Sequence, residues 1–188
     1  MNGRLVDRSL WAKGRRPVGV VLFFISMAFC LVGNVTQGRI LTSADGLVSV
    51  DMPDDWGATV PKGGAVLMLI TDESETVGIT VLREPLASGQ SKSPVRLLFL
   101  KLDNFAKSFP VEAQSNPMPL FVDGEEAARA SFVSEVRQAD GSRRKTGFVF
   151  TCLSRGNDLY TVVGTARAED MDAWLPILDA VADSLDIR

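Results

Sequence analysis

Histidine is absent from all 188 residues. That absence removes the imidazole general base, the Ser-His-Asp arrangement of hydrolases and most zinc-ligand sets. Cysteine is scarce as well. Cys30 and Cys152 are too few and too far apart for a disulfide framework. Cys152 stands in the apolar run "GFVFTCLS", where a lone cysteine behaves as a small buried hydrophobe. Positive charge is concentrated at one end. Within residues 1–17, Arg4, Arg8, Lys13, Arg15 and Arg16 oppose only Asp7, so this segment carries +4 while the whole chain carries −3. The remainder is therefore acidic, which argues against nucleic acid, whose binders need a basic face to displace counterions.

Catalytic and phosphate-binding motifs are missing too. No G-x-S-x-G elbow is present, and "PKGGAV" (Pro61 to Val66) lacks the P-loop spacing and leads into a strand pattern instead of a helix. A close Ser–Lys pairing, "SKS" at Ser91 to Ser93, precedes a helix as a cap would. No cofactor is expected, and the chain is read as a non-enzyme.

What is present begins with an address. Val18 to Val35 are 18 residues without a charge, directly after the basic cluster. A basic flank followed by an apolar stretch is the pattern of an export signal or of a membrane anchor, with the positive end held on the cytoplasmic side. The run just reaches spanning length. No Ala-x-Ala site follows, and Phe29 before Cys30 does not suit a lipoprotein site. Cleaved signal and retained anchor both stay open. The reading is then a basic cytoplasmic flank at 1–17, a signal or anchor helix at 18–35, a linker at 36–43 and a globular domain at 44–188. The domain is expected outside the cytoplasm, either anchored in the inner membrane or exported after cleavage.

Within the domain, 46 % hydrophobic residues over the chain are enough for a core. "GLVSVDMP" alternates as a half-buried strand does, and "AVLMLIT" and "TVGITVLRE" are β-rich runs around the polar "DESE". Ser93-Pro94 opens a helix, with Ser at N-cap and Pro at the first position. Its apolar stripe is Leu98, Leu102, Phe105, Ala106 and Phe109, and Pro110 ends it. A short edge strand is expected at Leu120 to Val122. Ala128, Ala130, Phe132 and Val136 then alternate with Arg129, Ser131, Glu135 and Arg137. An Asp-Gly turn in "ADGS" leads to a return strand at Thr146 to Leu153, apolar on both faces, as suits a sheet covered on both sides. Met171, Trp174, Leu175, Leu178, Val181, Ala182 and Leu185 form the stripe of a last helix, with Pro176 inside it. The order β-β-β-α-(β)-β-β-β-α gives an α+β class: a mainly antiparallel sheet covered by helices on both faces, an α/β/α sandwich.

The same succession resembles a known superfamily. A strand leaving through "MPDDWG", a hairpin pair, a Ser-Pro-started helix, the "DGEEAARASF" strand, a long Asp-Gly hairpin, "DLYTVVGTA" and a terminal helix ending "ADSL" together look like the PsbP-like, or DcrB-like, α/β/α sandwich. The resemblance covers about residues 44–187. It implies an accessory protein that binds other proteins and not a catalyst. It carries no metal role here, because the metal contacts of PsbP involve histidine.

Three stretches are candidate sites. In "DMPDDWG", Asp51, Asp54 and Asp55 lack EF-hand spacing, and the adjacent pair Asp54 and Asp55 would point apart; the stretch reads as a strand exit with Trp56 folding back on the core. "TDESET" gathers Asp72, Glu73 and Glu75, which could bind a cation weakly but match a solvated hairpin tip better. "GSRRKTG", with Arg143, Arg144 and Lys145, could meet an acidic partner or lipid headgroups. The function expected is that of an exported or membrane-anchored accessory protein binding an envelope protein partner. A small-ligand or ion-binding envelope protein is the alternative, and a histidine-free hydrolase a third.

Overall fold

A computed structural model of the chain describes residues 38–137 and 141–188. The segments read as basic flank and as signal or anchor lie outside the described residues, as do Ala139 and Asp140 of the "ADGS" turn. Among the described residues no helix is long and apolar enough to cross a membrane.

The order of elements is β1 (Arg39–Thr42), β2 (Val48–Met52), β3 (Gly57–Thr59), β4 (Val66–Thr71), β5 (Gly78–Pro85), α1 (Pro94–Ser108), β6 (Val111–Gln114), β7 (Met118–Val122), β8 (Glu125–Arg137), β9 (Arg143–Arg155), β10 (Asp158–Arg167), α2 (Met171–Asp183) and β11 (Asp186–Ile187), with one 3₁₀ turn at Ala168–Asp170 before α2. All the strand pairs are antiparallel. The large sheet runs β3-β4-β5-β10-β9-β8-β6, with β7 also on β8, and a small sheet runs β1-β2-β11. The class is α+β, mainly antiparallel with two helices.

Four strands escaped the sequence reading, and each is short. β1 falls in the stretch read as a linker, 36–43, where Arg39 to Thr42 pair with Met52 to Ser49. β3, β6 and β11 span two to four residues each. Segments of that length offer too few alternations for a period to show. They form because a longer strand presents them with an open ladder: β11 docks on Val48 and Ser49 of β2 and brings the C-terminus beside the first strands.

Two apolar clusters hold the domain. Along β8, Ala127 belongs to one, and Ala128, Ala130 and Phe132 to the other; along β9, Leu153 and Cys152 divide the same way. Successive residues of a strand point to opposite faces, so one sheet feeds both clusters. Helix α1 contributes Leu97, Leu98 and Leu102 to the second, where Phe105 meets Phe132 edge-on at 4.6 Å and Phe132 stacks on Phe148 at 4.7 Å. Leu98, Leu102 and Phe105 of the expected stripe pack inward, but Leu97 is buried as well and Ala106 is exposed. Ser93 caps α1 through its carbonyl, which accepts the Leu97 N–H at 3.0 Å, and not through its hydroxyl. In β4 a bulge between Val66 and Met68 turns both Leu67 and Met68 inward.

Helix α2 contributes Leu178, Val181 and Ala182 to the first cluster, and it sits close to the sheet because β10 has a glycine beneath it. A Cβ at Gly164 would lie 3.1 Å from both methyls of Leu178 and 3.2 Å from its Cβ. Pro176 stands inside α2. Arg129 fastens the helix to β8, pairing with Asp179 at 3.1 Å and with Asp183, while its Nε donates to Thr151 Oγ1 at 2.8 Å.

Candidate functional site

The stretch that ends β2 builds the wall of a groove. Asp51 is exposed on the strand, Met52 turns inward, and the Trp56 N–H donates to the Pro53 carbonyl at 3.2 Å to close the turn. Trp56 is buried, and its ring meets Trp174 of α2 edge to face, with centroids 5.9 Å apart and planes at 66°. Between the strand exit and the helix lies an apolar groove of about 540 Å³, walled chiefly by Met52, Pro53, Trp56, Trp174, Ile177 and Val181.

The groove is braced at both ends. Ser184 caps α2 and reaches β2: its Oγ accepts the Asp51 N–H at 2.8 Å and donates to the Val181 carbonyl at 2.8 Å. Arg39, opposite Met52 in the β1–β2 register, donates to the Trp56 carbonyl at 3.1 Å and lies 3.8 Å from Met52 Sδ. Asp51 and Asp55 line the groove, with Asp54 between them in sequence, and all three are exposed. None of the three carboxylates is in an ion pair among the described residues.

The sequence reading of "DMPDDWG" as a strand exit describes its backbone. It did not foresee that the same residues line a groove, because the other wall comes from α2. The available signal was Trp174, an aromatic on a helix stripe that Leu and Val could have filled.

Asp72, Glu73 and Glu75 do not assemble a cation site. Asp72 is taken up by its own turn: Oδ1 accepts the N–H of Thr76 at 2.7 Å and of Val77 at 2.9 Å, while Oδ2 accepts the hydroxyls of Thr76 at 3.0 Å and of Ser74. Burial pushes the Asp72 carboxyl up, but the hydrogen bonds from Ser74, Val77 and Thr76 together outweigh it and leave it below the usual carboxylate value. Glu73 and Glu75 are exposed, and Glu75 takes a left-handed backbone (φ 54°) at the tip. Among the described residues no group of three His, Cys, Asp or Glu side chains could hold a metal.

Arg143, Arg144 and Lys145 do come together, and Arg167 from the end of β10 joins them around a cavity of about 320 Å³ beside Glu169. Their charge is largely answered within the domain. Arg143 pairs with Glu135 at 3.0 Å and Lys145 with Glu112 at 2.8 Å. Cys152 is fully buried, with its thiol 3.6 Å from Thr161 Oγ1; burial raises it to about 11 against a smaller pull from Thr161. Lys92 of "SKS" donates to the Gly156 carbonyl, so its amine is occupied.

Solved structures share this fold. CyanoP, the cyanobacterial PsbP of Synechocystis sp. PCC 6803, is 14 % identical with a TM-score of 0.57, over 86 % of this chain and 99 % of that one. LpqN of Mycobacterium tuberculosis, described as involved in cell envelope biogenesis, is 13 % identical with a TM-score of 0.53, over 80 % and 90 %. A structure from Bacteroides thetaiotaomicron VPI-5482 is 14 % identical with a TM-score of 0.54, over 81 % of this chain and 49 % of that one. No protein-family model matches the chain, and comparison with curated sequences finds no match. The described domain has the PsbP-like fold, and at these identities the likeness is one of fold alone.

Proposed function

We propose that this is a non-catalytic accessory protein of the cell envelope, anchored or exported through residues 18–35, whose domain docks a protein partner at the Trp56–Trp174 groove. The observation that carries the reading is the groove itself: an apolar surface between the end of β2 and α2, with carboxylates on its rim. The description of LpqN as involved in cell envelope biogenesis and the basic-then-apolar N-terminus both support the location. The division of alternate strand residues between the α1 and α2 clusters supports a three-layer α/β/α sandwich, in which the groove opens at the edge of the α2 layer. The basic group Arg143, Arg144 and Lys145 is a weaker docking surface, because Glu135 and Glu112 already neutralise part of it.

One observation favours a second reading. A volume of about 540 Å³ lies within the range of small-molecule sites, so an apolar ligand is the alternative occupant.

A photo-crosslinking residue at Ala180, exposed on the groove, separates them in intact cells. Docking predicts a defined protein adduct that Trp174→Ala removes and that the same label at Lys145 does not give. Adducts that are indifferent to Trp174→Ala would reject the groove as the docking site. A lipid-sized adduct would select the second reading.

A further inference from the structure

Apolar grooves accept apolar groups from many sources, and the rim decides among them. Three carboxylates, Asp51, Asp54 and Asp55, stand at or beside this rim with no ion pair among the described residues. Arg39, opposite Met52 in the β1–β2 register, hydrogen-bonds only neutral acceptors, the Trp56 carbonyl and the Met52 sulfur, so it keeps its charge and offsets at most one of the three. Helix α2 supplies no lysine or arginine to balance the rim; of its acids, Asp179 and Asp183 are matched to Arg129, and Asp172 adds a further exposed carboxylate in its first turn. The groove is thus apolar inside and net acidic outside, with Asp51, Asp54 and Asp55 against Arg39.

That combination restricts its occupant. Any group that fills the groove also displaces water from the rim carboxylates, and a carboxylate that loses water without gaining a partner is penalised. An occupant that brings cations turns the penalty into attraction, and it is also steered toward the groove before contact. An anionic amphiphile meets repulsion, and a neutral one leaves the carboxylates unpaired.

We propose that the groove recognises a peptide segment of the partner in which an apolar side chain is flanked by lysine or arginine. The inference rests on the partner-docking reading above and adds the chemistry of the docked segment. The apolar side chain packs over the Trp56–Trp174 contact and against Ile177, and the flanking cations pair with Asp51, Asp54 and Asp55.

The test uses the full-length chain in lipid nanodiscs, with Trp11 replaced by Phe so that Trp56 and Trp174 alone report by fluorescence. Two acetylated octapeptides are titrated, KKLIGLKK and EELIGLEE, which share an apolar centre and differ in flanking charge. The Lys-flanked peptide is expected to bind roughly tenfold tighter at low salt, as three weak surface ion pairs would give. The preference should shrink as the ionic strength rises. It should vanish in the triple variant Asp51→Asn, Asp54→Asn, Asp55→Asn, whose unfolding midpoint serves as the folding control. Equal binding of the two peptides, with both lost in Trp174→Ala, would overturn the charge inference and leave the groove standing. Tighter binding of monomeric dodecyltrimethylammonium than of either peptide would overturn the peptide assignment. Failure of both peptides to perturb either tryptophan would reject this inference; only the crosslinks from Ala180 would then decide the docking reading.

Discussion

Trp56 and Trp174 meet edge to face at 5.9 Å, one at the exit of an early strand and the other on the last helix. Their contact joins the small sheet to the helix layer and forms the floor of the groove. The two are not equivalent. Trp56 is buried in the core cluster, whereas Trp174 packs against that cluster with part of its ring open to solvent.

The two tryptophans therefore separate stability from binding. Trp56→Ala is expected to cost about 3–5 kcal/mol, as for other large buried aromatics. Trp174→Ala should cost less and still abolish occupancy of the groove. Urea unfolding of both variants beside the binding titration checks the split; equal loss of stability in the two would contradict it.

Gly164 is set by the closeness of α2. A Cβ there would press on Leu178 at 3.1–3.2 Å, from its methyls to its Cβ, and a buried leucine at a helix–sheet contact has little room to retreat. Gly164→Ala is expected to destabilise by about 1–3 kcal/mol through overpacking. Pairing it with Leu178→Ala should restore part of that loss, and a double-mutant cycle measures the coupling.

The acid limb of the stability curve should depend on Asp45 and Asp72, both held below the ordinary value of 3.8. For Asp45 the Ser43 hydroxyl is the main cause, followed by the Leu47 N–H; for Asp72 the hydrogen bonds of its turn prevail over burial. A lowered folded-state pKa means that the unfolded chain binds more protons. The stabilisation is complete above about 3.8 and is lost as pH falls through the lowered values. Asp72→Ala should lower stability at neutral pH by about 1–2 kcal/mol from its lost hydrogen bonds. It should also flatten the pH dependence below 3.8. Thermal midpoints from pH 2 to pH 7 for both proteins test this, and an unchanged acid slope would count against it.

Cys152 should be inert in the folded protein. Its thiol is raised to about 11 and closed to solvent, so neither the thiolate nor access favours reaction. In a Cys30→Ser background, labelling by a thiol reagent at pH 8 is expected only at the rate of unfolding. Fast labelling under native conditions would show that β9 and β10 open locally.

Much of the fold was legible in the sequence because its longest elements carry strong periodicity. The alternation of Ala128, Ala130 and Phe132 with Arg129 and Ser131 announces β8, and the Ser93-Pro94 start and the Leu98–Leu102 spacing announce α1. The apolar two-faced return strand announced a sheet that feeds two clusters. What local pattern could not carry is which distant segments meet. β1, β3, β6 and β11 are strands only because neighbouring strands offer them partners, and the groove exists only because α2 crosses the end of β2, where Ser184 bonds to Asp51 and Trp174 meets Trp56. The sequence by itself determined the acidic body, the basic and apolar N-terminus, the lack of histidine chemistry and the identity of the main strands and helices, since these follow from composition and short-range period. The tertiary structure alone decided that "DMPDDWG" is one wall of an apolar groove and that Asp72 is satisfied within its own turn, because both depend on which hydrogen-bond donors and aromatic rings folding brings within reach.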